Sequence, residues 1–190
     1  MDPAIGGRKT RNKILSRRLS ALSVKFLWAP WRIRFILENL SASNCIFCTL
    51  PANQDDRSSL ILGRTKHSFA ILNKFPYNSG HLMIVPLRHT ADLSDLSEVI
   101  LLDLHRCIRD SLEILKETMK PQGFNVGMNL GEAGGAGIRQ HLHYHVLPRW
   151  NGDTNFLPAI GETKVLPESL EETYARLAPA FHKKWGSPST

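Results

Sequence analysis

The sequence has no run of 18 or more consecutive apolar residues, and no apolar segment of the kind a secretory signal needs follows its basic amino terminus. These absences argue against a membrane partner, and the chain reads as cytoplasmic. Cysteine is scarce. Three residues, Cys45, Cys48 and Cys107, cannot close a disulfide framework. Cys45 and Cys48 instead sit at metal-ligand spacing, which suits a reducing compartment and a bound metal, while Cys107 falls in a predicted helix and reads as an inert core residue. Acidic residues are nearly missing from one end only. Residues 1–25 hold seven basic side chains against Asp2 alone, and the other 165 residues carry 17 basic and 16 acidic ones, out of a net +7. A nearly neutral folded part removes most of the argument for a duplex-binding face.

What is present fits one core with tails: 190 residues, 42% hydrophobic and 22% charged. Residues 1–25 read as a basic, disordered tail without a catalytic role; a start-site artefact, a weak transit-like segment and a polyelectrolyte arm for RNA or membranes, making weak nucleic-acid contact, are the alternatives. Residues 26–160 read as the catalytic domain and 161–190 as a C-terminal helical extension. A short helix is expected over 31–39, with Trp28 and Trp31 as packing anchors. Strands are expected over 68–72 and 81–85, joined by the turn-rich Pro76-Tyr77-Asn78-Ser79-Gly80 as an antiparallel hairpin. Ser94 is the candidate N-cap of the longest helix, where Leu101, Leu104, Ile108, Leu112, Leu115 and Met119 recur at steps of three and four until Pro121 and Gly123. Strands over 124–130 and 141–149 flank a glycine-rich loop, and a last helix is expected over 167–178. This order predicts an α+β fold, an antiparallel sheet with one long helix and short terminal helices.

The chemistry concentrates in His141-Leu142-His143-Tyr144-His145. Residues two apart on a strand share a face, so three imidazoles project together. As mere core filler they would leave several donors and acceptors needing partners. A metal site is the competitor to a catalytic one, since His-x-His on a strand also suits ligation. Just upstream, Gly131-Glu132-Ala133-Gly134-Gly135-Ala136-Gly137 has four glycines in seven residues. Its backbone amides can approach an anion closely, which makes it a candidate phosphate cradle beside a nucleophile. An imidazole attacks well when its second nitrogen is held by a hydrogen bond that frees the other lone pair.

The segment from Gly127 to Gly131, the glycine loop and the segment from Gln140 to Trp150 resemble the histidine triad family of nucleotide hydrolases and transferases. Leu27-Trp28-Ala29-Pro30-Trp31-Arg32, the cysteine pair and the segment from Pro148 to Phe156 are similar to a bacterial branch that includes diadenosine tetraphosphate phosphorylases. The resemblance implies a small-molecule nucleotide substrate cleaved at its α-phosphate, with His143 as nucleophile and His141 and His145 beside it. It places Asn129 near the phosphates, Asn73 at the ribose hydroxyls and His81 near the nucleotide. Many relatives carry Gln or Ser four residues before the first histidine, where this chain has Gly137; phosphate contacts then fall to backbone amides, Arg139 or Gln140. The resemblance also implies a structural zinc on Cys45, Cys48, His89 and His141, no organic cofactor, and a homodimer. Phosphorolysis is favoured over hydrolysis. A nucleoside phosphoramidate hydrolase and a non-catalytic, zinc-stabilised nucleotide- or RNA-binding module are the alternatives.

Overall fold

The structure, a computed structural model, describes residues 45–53, 55–153 and 166–186. The expected helix over 31–39, the two tryptophan anchors and the basic segment 1–25 lie outside the described residues. Among the described residues, five strands form one antiparallel sheet in the order β1-β2-β3-β5-β4. They are β1 (Ile61–Arg64), β2 (Ser68–Leu72), β3 (Leu82–Pro86), β4 (Gly123–Met128) and β5 (Tyr144–Arg149). The helices are the single turn α1 (Ile46–Thr49), the long α2 (Glu98–Met119) and α3 (Leu170–Trp185). The α+β expectation holds.

Strands β2 and β3 are buried along their whole length because both faces of the sheet are covered. Alternation sorts their side chains. Ala70, Leu72, Leu82 and Ile84 join the core under α2 and α3, while Phe69, Ile71, Met83 and Val85 pack on the other face with Phe47 and Cys45. The expected hairpin forms with Leu72 opposite Leu82 and Ser68 opposite Pro86. Strand β1 was not expected, since four residues interrupted by Gly63 carry no readable period. It forms against β2, and Gly63 lets α3 approach: a Cβ there would lie 3.0 Å from the Trp185 ring.

Ser94 does not cap the long helix. Asp92 takes its N–H and its hydroxyl, which folds Leu93–Asp95 into a 3₁₀ turn, and α2 starts after Ser97. Leu104, Cys107, Ile108, Ser111, Ile114 and Leu115 form its buried face. Burial, and secondarily the Asp103 carboxylate, push the Cys107 thiol up to about 12, so it stays protonated and inert.

The last helix begins at a capping box, Ser169 with Glu172, and runs through Pro179 to Trp185 instead of stopping at residue 178. Proline inside a helix costs about 3 kcal/mol. Fully buried Phe181, at about 1.5–3 kcal/mol for such a side chain, offsets it together with partly buried Trp185. The two rings meet edge to face at 5.0 Å, and Trp185 Nε1 donates to Asp110 at 3.0 Å.

Strand β5 starts three residues later than expected. Its ladder with β3 ends at Ile84 opposite Tyr144, because β3 closes at Pro86, which has no N–H to offer. Residues 141–143 are pinned instead by Leu142 N–H donating to Thr90 O at 2.8 Å.

Candidate functional site

His145 alone of the three histidines lies in the ladder, yet the side-chain alternation extends back through residue 141. Leu142, Tyr144 and Val146 turn into the helix-side core. The histidines turn to the opposite face, where the His143 and His145 rings are 5.0 Å apart and Phe47 packs on His141 and His143 at 5.6 and 5.1 Å.

Carbonyl oxygens only accept, so they determine which nitrogen carries each proton. His143 Nδ1 donates to its neighbour's carbonyl, His141 O, at 2.9 Å, which leaves the lone pair on Nε2. Burial lowers the His143 pKa below the ordinary histidine value, with the bond to His141 O opposing it, so neutral imidazole is the favoured form. His141 is set the opposite way round. Its Nε2 donates to Pro86 O at 2.8 Å, so its lone pair is on Nδ1. Burial again lowers its pKa, against the Pro86 bond and reinforced by His89 and His143.

A second chain fixes His145. The Tyr77 N–H donates to His81 Nδ1 at 3.1 Å, so His81 carries its proton on Nε2 and donates it to His145 Nδ1 at 3.0 Å. The His145 proton is thereby placed on Nε2. His81 is fully buried and stands behind His145 instead of lining the adjacent cavity.

That cavity, of about 250 Å³, is walled by Ile46, Phe47, Leu60, Ile71, Met83 and Ile138, with His143 and His145 at one side and Gly137 and Asn73 on its border. Among the described residues, Lys74 is its one charged lining residue and no carboxylate lines it. Of the residues expected to bind nucleotide, Asn73 and Gly137 reach the cavity; Asn129, Arg139 and Gln140 do not line it. Asn73 Oδ1 accepts from Phe75 N–H, Asn129 Nδ2 donates to Gly135 O at 3.4 Å, and Arg139 forms an ion pair with Glu132 at 3.0 Å. The glycine loop folds on itself, with Gly135 N–H on Glu132 O and Ala136 N–H on Gly131 O, so those two amides are already used. Gly134 is required there, since a Cβ would lie 2.1 Å from Leu130 O.

Cys45, Cys48, His89 and His141 come together, their four ligand atoms all within 4.8 Å of one another. Cys45 Sγ to His141 Nδ1 is 3.4 Å, Cys48 Sγ to His89 Nδ1 is 3.3 Å and Cys48 Sγ to His141 Nδ1 is 3.6 Å. Tetrahedral bonds of about 2.3 Å to sulfur and 2.0 Å to nitrogen place neighbouring ligand atoms about 3.5 Å apart, so the set fits zinc. The His141 lone pair on Nδ1 points the same way. Desolvation, then the neighbouring Cys45, raise the Cys48 thiol pKa, an obstacle that a bound cation removes.

The apolar cavity wall escaped sequence reasoning. Its members lie in α1, at the residue before β1, in β2 and β3 and just after the glycine loop, and the one local signal was Phe47 between the paired cysteines.

Comparisons with known proteins agree with this geometry. The family model described as HIT domain matches residues 54–152. The chain is 40% identical over 165 residues to an AP-4-A phosphorylase from Mycobacterium tuberculosis, covering 83% of this chain and 85% of that protein. Among solved structures, a hypothetical histidine triad nucleotide-binding protein from Sulfolobus tokodaii superimposes with a TM-score of 0.59 at 23% identity, covering 77% of this chain and 99% of that one. A Zn-bound histidine triad family protein from Mycobacterium smegmatis gives 0.58 at 23% identity, covering 74% and 95%. These two support the fold.

Proposed function

The chain belongs to the HIT domain family, and on that premise we propose that it cleaves dinucleoside polyphosphates of the diadenosine tetraphosphate kind at the α-phosphate. The observation that carries this reading is the orientation of His143: Nδ1 donates to His141 O, and the Nε2 lone pair belongs to a neutral ring beside an apolar cavity.

Attack by His143 Nε2 on the α-phosphorus forms an N–P bond and breaks the P–O bond to the polyphosphate, which leaves as a nucleoside triphosphate. His145, with its proton on Nε2, is placed to donate to the phosphoryl or departing oxygen. Inorganic phosphate then attacks the nucleotidyl-histidine, releases the imidazole and gives a nucleoside diphosphate. Phosphorolysis is favoured over hydrolysis by the identity to the mycobacterial phosphorylase, and Lys74, without any carboxylate beside it among the described lining residues, suits a second anion. Asn73 and Gly137 border the bound nucleotide.

Zinc on Cys45, Cys48, His89 and His141 is read as structural: four protein ligands close the coordination sphere and tie α1 to the segment before β5. A homodimer is read from the sheet edge, where β4 exposes 43% of Val126, and from α2, which exposes 61% of Val99. No helix among the described residues is long and apolar enough to cross a membrane. Together with three free cysteines, this supports a cytoplasmic setting. The proposed domain spans 26–160, with 1–25 as a tail and 161–190 as an extension.

Product analysis tests the reading, with diadenosine tetraphosphate incubated with and without inorganic phosphate and His143→Ala as control. ADP plus ATP appearing only with phosphate establishes the phosphorylase. AMP plus ATP regardless of phosphate makes water the acceptor, and no product, or an active mutant, overturns the mechanism.

A further inference from the structure

His81 lies one residue outside the ladder that joins β3 to β5, whose first pair is Leu82 with Val146. Its contact with His145 therefore depends on what holds the connector 73–81 against β5. Asn78 does this. It is 7% exposed, and its amide spends both protons across the gap, on Pro148 O at 3.2 Å and on Asp153 Oδ2 at 2.7 Å. Its own carbonyl accepts from His81 N–H at 3.1 Å. Asp153 is immobilised in turn. Its Oδ2 also accepts from Arg149 Nε at 2.6 Å and Trp150 N–H at 3.1 Å, and its Oδ1 accepts from Arg149 Nη2 at 2.8 Å. Gly80, at φ +75°, closes the turn so tightly that a Cβ would lie 2.6 Å from Met119 Sδ and 3.1 Å from Pro148.

We propose that Asn78 and Asp153 are positioning residues: a clamp between the connector and the end of β5 that holds His81 on His145 and so keeps the His145 proton on the nitrogen facing the chemistry. The two imidazoles sit on different elements, and the clamp joins those elements on the far side of the pair. A carboxylate with three donors on one oxygen has a single orientation available, and a buried amide with both protons used has no alternative flip. Tyr77 N–H on His81 Nδ1 sets the hydrogen-bond direction through His81 to His145, and the 3.0 Å contact of His81 Nε2 with His145 is shorter than the 3.5 Å between that nitrogen and Asn73 Nδ2. Without the clamp, His81 can rotate or exchange tautomers, and His145 loses its assigned proton.

The experiment combines imidazole nitrogen NMR with kinetics on full-length zinc-loaded protein, comparing Asn78→Ala, Asp153→Asn, His81→Ala and the double variants. In the wild type, His81 and His145 each show one tautomer, protonated on Nε2; in the clamp variants both show mixtures. In diadenosine tetraphosphate phosphorolysis, which rests on the proposed function, kcat falls about ten- to a hundredfold with KM within about twofold. Neither clamp variant lowers kcat further in the His81→Ala background. Single tautomers in the variants, wild-type kcat, or losses that add to that of His81→Ala overturn the clamp. Should Asn78→Ala fail to fold, Asp153→Asn, which preserves shape, carries the test. The NMR readout needs no substrate, so a wild-type protein with ordered tautomers and no turnover counts against the reaction and leaves the clamp standing.

Discussion

His143 donates its Nδ1 proton to the backbone carbonyl of His141 at 2.9 Å, while the His141 ring contributes Nδ1 to the four-ligand cluster. One residue thus sets the tautomer of the proposed nucleophile with its main chain and offers its side chain to the candidate metal site. Loss of the cluster and loss of the nucleophile are for this reason separable experiments.

Replacing His143 by Ala removes the proposed attacking nitrogen and nothing that the cluster uses. Turnover of diadenosine tetraphosphate should fall on the order of 10⁴-fold or more, with zinc content by atomic absorption unchanged. Loss of metal in this variant would instead favour a metal-binding role for the ring.

Chelation, or Cys48→Ser, should act on stability and substrate binding together. The turn that carries Cys48 also carries Ile46, Phe47 and Leu50 of the cavity wall. A loss of about 3 kcal/mol, roughly 10 °C in Tm at this size, is expected along with a raised KM. An unchanged melting temperature after complete metal removal would show that the cluster is not structural.

On the proposed mechanism His143 must be neutral to attack, and burial holds its pKa below the usual value of about 6.5. Protonation blocks attack, so kcat/KM should hold at pH 6.5 and fall only as the pH drops through the lowered folded-state value. Phe47→Ala admits water beside the ring, and its acid limb should move up toward about 6.5. An acid limb at the ordinary value in the wild type contradicts the burial argument.

Phe181 is fully buried against β1 and α2 from the far end of the chain. Phe181→Ala should cost about 3–5 kcal/mol, read by urea denaturation, and removing residues 166–190 should prevent folding. A truncated chain with a native melting curve would make the last helix dispensable.

Val126→Lys places a charge on the β4 edge, the proposed dimer face. Sedimentation velocity should then show a monomer; an intact dimer moves the interface elsewhere.

The sequence by itself determined the period-two order that separates His141, His143 and His145 from Leu142, Tyr144 and Val146, because alternation is a property of an extended backbone wherever it sits. It also determined the cysteine pair and the face of α2, both local spacings. It misplaced the ends of elements whose limits depend on distant partners: β5 begins at Tyr144 because β3 stops at Pro86, and α3 passes Pro179 because Phe181 and Trp185 have a core to enter. Only the tertiary structure decided which nitrogen of His141 and His145 is protonated, since Pro86 O and the His81 ring reach them across 55 and 64 positions of sequence, whereas His143 and His81 are set by a carbonyl and an N–H two and four residues away. It also decided that Asn129 and Arg139 bond within their own loop, and that Asn78 meets Asp153 across 75 positions of sequence. Spacing along a chain carries a residue's face; its partners, and therefore its chemistry, come from which strands lie side by side.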